Sequence, residues 1–198
     1  MKNLVHGKGF SMKRYLLPAG LVLLFVSVIA GCSKDSNKGG GTGLGSVQGQ
    51  IAGVKWTIPK RWTVGPEKPM RVASYVVPAM EANGESADCA VSYFGAGQGG
   101  VVDANIDRWI GQFENPAPSD KSVREVNGLK VTTVQINGTY LGMGGMMSGS
   151  SPKKENYRLL GAIVEAPEGM VFFKMTGAQK TVASAEKEFD ALIGSLTK

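Results

Sequence analysis

The chain has 198 residues, with 22 Lys or Arg against 16 Asp or Glu and a formal net charge of +6. That excess sits at one end: Lys2, Lys8, Lys13 and Arg14 precede Cys32 and no acid does, so from Cys32 onward 18 basic residues face 16 acidic ones. Such a balance gives no electrostatic footprint for nucleic acid. The single histidine, His6, also lies ahead of Cys32, which excludes a Ser-His-Asp triad or a histidine zinc site from the rest of the chain.

Residues 16–30 are apolar, shorter than the roughly 20 residues a membrane-crossing helix needs. Lys13 and Arg14 precede them, and the run ends in Ile29-Ala30-Gly31-Cys32. A basic flank, a short apolar stretch and small residues at its end are the marks of a cleaved export signal. The closing tetrapeptide resembles the lipobox of bacterial lipoproteins, in which small residues fit the peptidase and the cysteine thiol takes a diacylglyceryl group. The expected organisation is a signal peptide over 1–31, cut between Gly31 and Cys32, then a lipidated tether over 32–50 and one domain over 51–198. Met12-Lys13-Arg14 is a better natural start than Met1, so translation is expected from Met12. Ser33, with no Asp beside the lipidated cysteine, resembles a signal for sorting to the outer membrane, facing the periplasm.

The tether is rich in Gly, Ser, Lys and Asn, with almost nothing to bury. The 167 residues from Cys32 suffice for one domain with a real core. Lipid on Cys32 leaves Cys89 without a partner, and its setting in an apolar strand pattern predicts a buried thiol acting as a small apolar side chain.

Along the domain, residues 54–58, 71–77 and 87–94 read as strands, rich in β-branched and aromatic residues between turn formers. Residues 101–113 change period: Val102, Ile106, Trp109, Ile110 and Phe113 recur every three or four positions, one apolar face of a helix. Strands over 122–126 and 129–136 flank Asn127-Gly128, a strong hairpin signal, and Asn137-Gly138 predicts a further turn. Residues 142–155 read as a low-complexity loop. A second hairpin covers 157–166 and 170–176, around Pro167-Glu168-Gly169. Thr181 is placed to cap a closing helix reaching about Leu196. Hairpins dominate and helices are few, so the fold class is α+β: a mostly antiparallel sheet of about six to seven strands with two main helices packed on it.

The opening Trp56-x-x-Pro59-x-x-Trp62, the strand–helix–hairpin–hairpin order and the closing amphipathic helix resemble the Mog1/PsbP-like fold. Residues 88–100, 105–113, 156–165 and 172–182 are similar to a set of uncharacterised bacterial lipoproteins. That resemblance implies a binding or assembly factor and brings no catalytic residues with it.

Three motifs carry candidate chemistry. Gly95, Gly97 and Gly100 satisfy G-x-G-x-x-G, and with Gly99 they make a loop suited to an anion or a partner. A dinucleotide site would need a following βαβ unit and an acid some twenty residues on. Here a hairpin follows, and Asp120 stands before a strand rather than at its end. Met143, Met146 and Met147 offer three thioethers on a glycine-rich loop, which reads first as a contact loop and second as a Cu(I) site. Ser151 and Lys154 match S-x-x-K, but Pro152 and the loop setting argue for chance. Trp56, Trp62 and Trp109 sit in apolar settings and are expected in the core. The expected function is a lipid-anchored, non-catalytic binding or assembly module for an envelope protein or small ligand, with no cofactor. An envelope enzyme using carboxylates or a loop-borne site stands second, and a Cu(I) carrier third.

Overall fold

The computed structural model describes residues 48–142 and 152–198. Two strands, β1 (Gln48–Ile51) and β2 (Val54–Thr57), form a hairpin of their own. Its two-residue turn places Ala52 and Gly53 at φ 53° and 75°, the positive pair that matches strand twist. Residues 48–50, which composition assigns to the tether, are therefore strand. Gly49 lies opposite Trp56, and a Cβ there would meet the indole at 2.3 Å, so the glycine makes room for the ring.

The main sheet has eight strands: β3 (Thr63–Val64), β4 (Ala73–Val77), β5 (Ala87–Tyr93), β6 (Phe113–Glu114), β7 (Asp120–Val126), β8 (Leu129–Tyr140), β9 (Lys154–Ala166) and β10 (Gly169–Ala178). Their spatial order is β3-β4-β5-β10-β9-β8-β6, with β7 also paired to β8, and every pairing is antiparallel. Three helices complete the chain: α1 (Val102–Ile110), α2 (Gln179–Ser184) and α3 (Glu186–Gly194). The α+β class is as expected, with one more strand in the sheet and one more helix.

Residues alternate across a strand, so the sheet has two inner faces. Val171, Phe173 and Met175 of β10 join one core with Trp56, Val182, Phe189, Leu192 and Ile193. Phe172, between them, joins a second core with Ile106, Trp109, Phe113, Ile136 and Ile163. The hairpin β1–β2 and the helices α2 and α3 thus cover one face, and α1 covers the other. Cys89 is fully buried in the first core, where burial pushes its thiol above its ordinary range.

Four local expectations are corrected. Asn137-Gly138 is not a turn: β8 runs through it to Tyr140 because β9 pairs with both residues, leaving only a register shift between Gly138 and Tyr140. Phe113 is not in the helix but in β6, paired with Tyr140. The closing helix divides at Ala185, where φ −97° and ψ 1° interrupt the spiral. Thr181 does not cap it; it lies inside α2, and its hydroxyl donates to the Glu85 carbonyl at 2.7 Å. Asn127-Gly128 does form the β7–β8 turn, with φ 49° and 76°. Among the described residues no helix is long and apolar enough to cross a membrane.

Candidate functional site

The four glycines predicted as a contact loop join β5 to α1, and all have positive φ: 102°, 70°, 92° and 76° for Gly95, Gly97, Gly99 and Gly100. The loop closes on itself and on the helix. Gln98 donates its amide to the Gly95 carbonyl at 3.1 Å, and the buried Asn105 amide donates to the Gly99 and Val101 carbonyls at 2.7 and 2.9 Å. Gly99 lies against Phe172, whose ring a Cβ would meet at 3.0 Å. The helix leads on to antiparallel β6 and β7, so the glycines open no βαβ unit. Asp120 begins β7, exposed, and accepts from Gln135. The glycines thus seat α1 on the sheet.

Gly31, Cys32, Met143, Met146, Met147 and Ser151 lie outside the described residues. Lys154 opens β9 rather than completing a helical turn, so no S-x-x-K geometry surrounds it. All three tryptophans are buried: Trp56 donates to the Tyr75 hydroxyl at 3.0 Å, Trp62 to Glu188 at 2.8 Å, and Trp109 covers Gly161.

A polar site the sequence reading missed lies on the α1 face of the sheet. Along β10 that face reads Met170, Phe172, Lys174, Thr176, Ala178, so two polar residues interrupt an apolar row on a central strand. Lys174 pairs across the ladders with Ala90 and Gly161, and Ser74 pairs with Ala90. Thr176 pairs with Asp88 and Leu159. Both ladder neighbours of the lysine are small, and Trp109 covers Gly161, where a Cβ would meet its ring at 2.3 Å.

Lys174 donates to the Gln112 side-chain carbonyl at 3.1 Å, a neutral partner supplied just beyond α1. Burial lowers its pKa to about 8, with the Arg71 charge acting the same way and Asp88 opposing. Asp88 is already held: Arg71 donates to one carboxylate oxygen at 2.7 Å and Lys68 to the other at 3.1 Å. Arg71 also reaches the Ser74 hydroxyl at 3.4 Å. Lys68, Arg71 and Lys174 therefore face one carboxylate. The Thr176 hydroxyl is buried and meets no hydrogen-bond partner among the described residues.

Tyr140 continues this surface. Burial raises its pKa, and it feels the charges of Arg71 and Asp88 on one side and of Tyr157 and Lys154 on the other. It stacks on Tyr157 with centroids 5.7 Å apart and planes 9° from parallel. Tyr157 and Lys154 both donate to Glu85, at 2.5 and 2.6 Å, and Lys154 donates to the Tyr157 hydroxyl at 2.8 Å. These bonds hold the Glu85 carboxylate below its usual range and the Lys154 ammonium above its own. Beyond this trio, a groove of about 710 Å³ runs between the β4–β5 connection and α2, past Met80, Glu81, Ala178 and Thr181.

On the opposite face another acid is engaged by a cation. Glu188 takes two bonds from Arg61 and one from Trp62, which hold its carboxyl below the usual range. A general acid needs the opposite shift.

No family model and no curated protein matches the chain. Solved structures do. A cyanobacterial PsbP, CyanoP of Synechocystis sp. PCC 6803, is similar with a TM-score of 0.50 and 11% identity over 79% of this chain and 95% of its own. PA94 of Pseudomonas aeruginosa (TM-score 0.45, 11% identity, 76% and 94% covered) is also similar. So is LpqN of Mycobacterium tuberculosis, described as involved in cell envelope biogenesis (0.45, 12%, 73% and 82%). The α+β fold of the chain is PsbP-like.

Proposed function

We propose that the protein is a lipid-anchored module of the cell envelope, held in the outer membrane by acyl chains on Cys32, and that it binds or helps assemble an envelope component rather than turning over a substrate. The anchor rests on the sequence over 13–33. The binding role is supported above all by Lys174, a cation on the inner face of a central strand whose side chain bonds only a neutral amide among the described residues. A half-buried charge without a charged partner is costly, and such positions cluster at functional sites. The ligand surface runs from Arg71 and Lys174 to Tyr140 and Tyr157.

The carboxylate enzyme has less support, because the acids beside this surface, Glu85 and Asp88, are engaged as ion-pair partners. Extraction of the tagged protein from membranes of its own cells, followed by native mass spectrometry, tests the reading. It predicts an acylated protein carrying a small ligand or a protein partner. Recovery in the soluble fraction without lipid, or as a ligand-free catalyst, would overturn it.

A further inference from the structure

Resting on that binding reading, we infer that Lys174 and Thr176 form an oxyanion subsite, which takes the carboxylate or phosphate group of the ligand. Four observations carry it. The two residues stand two apart on β10, so both project from the same face of a strand in the middle of the sheet. Among the described residues the Lys174 ammonium meets the Gln112 oxygen and no carboxylate, while the nearby Asp88 is bonded by Arg71 and Lys68. The local charge is therefore an excess of cations. The Thr176 hydroxyl is buried and meets no partner among the described residues, although a hydroxyl is a donor that an oxyanion would satisfy.

The fourth observation is steric. Ala90, the neighbour of Lys174 on β5, is small, and Lys174, Thr176 and Asp88 are each partly exposed rather than sealed. The groups gathered here, an ammonium, a guanidinium and the hydroxyls of Thr176 and Ser74, can all donate hydrogen bonds. An arriving oxyanion restores the charge partner that the ammonium lacks and accepts the threonine hydroxyl.

The test is isothermal titration of the full chain, purified in detergent, with sodium phosphate and with sodium acetate, each against chloride at matched ionic strength. Saturable binding of at least one anion is expected. Phosphate alone identifies a phosphoryl group on the ligand, and acetate alone a carboxylate. Lys174→Gln should weaken binding about tenfold or more, the loss of one charge-assisted bond, and Thr176→Val several-fold. Lys174→Gln should melt no lower than wild type, which separates lost binding from lost folding. Neither anion saturating the wild type, or Lys174→Gln binding like wild type, would overturn the subsite. The two readings fail separately. A ligand captured from membranes and retained fully by Lys174→Gln removes the subsite alone. Intact phosphate binding by a protein that carries nothing from membranes removes the envelope-binding role alone.

Discussion

Lys174 sets the energetics of its own site. Its folded pKa of about 8 lies below the ordinary lysine value, so the unfolded chain binds this proton more tightly than the folded one. Stability from this residue therefore rises as pH climbs from about 8 to the ordinary range, and the full penalty is present below 8. Each pKa unit corresponds to about 1.4 kcal/mol, so Lys174→Met should stabilise the protein at pH 7 by up to about 3 kcal/mol. Urea unfolding should show that gain shrinking as the pH is raised to 10. Arg71, just before β4, and Asp88 of β5 act on Lys174, and Gln112 from beyond α1, so their variants should move the same curve. Cys89 is the reverse case: burial disfavours its thiolate, and a thiol reagent should label it only after denaturant is added. Of these residues Cys89 was legible in advance, because an apolar strand pattern surrounds it. Lys174 and Thr176 were not. A lone Lys between Phe173 and Met175 looks the same in sequence whether it snorkels to solvent or faces a helix, and only the strand order decides.

Pairing partners decided which local signals held at the level of elements. Asn127-Gly128 turns because the strands on either side of it pair with each other, whereas Asn137-Gly138 is straightened because β9 offers partners to both residues. The helical period over 102–113 was sound through Ile110, but Tyr140 recruits Phe113 into the sheet. What holds α1 down is the flat spot at Gly161, where Trp109 lies on the backbone. Gly161→Ala should force the indole off β9 and cost about 2–3 kcal/mol, seen in urea unfolding together with a red shift of tryptophan emission. On the opposite face Glu188 of α3 grips Arg61 and Trp62. Arg61 also donates to the Pro78 carbonyl, which extends the tie to the end of β4. The Glu188 carboxyl is held below the ordinary value, so its contribution is present above that value and is lost as pH falls through the folded one. Glu188→Gln should flatten the acid limb of the stability–pH curve, which thermal melts between pH 5 and 3 would record.

At the scale of the whole molecule, the fold class was readable because hairpins announce antiparallel sheets and only two stretches carry helical periodicity. Which face each helix covers was not readable. Both helical segments are amphipathic in sequence, and nothing local says that α1 packs on Phe172 and Ile163 while α3 packs beneath Phe173 and Met175. That allocation makes the site: α2 and α3 seal one face with apolar contacts, while α1, with Trp109 and Gln112, covers the other face short of Lys174. The proposed anchor belongs to this scale as well, because an acylated Cys32 would tie the domain to a membrane. Intact mass and N-terminal peptide analysis of the protein extracted from membranes tests that claim most directly. A mature terminus at Cys32 carrying a diacylglyceryl group and a fatty acid is expected, on a protein that partitions with membranes. A terminus that retains residues 16–31, or an unmodified Cys32 on a soluble protein, would contradict it.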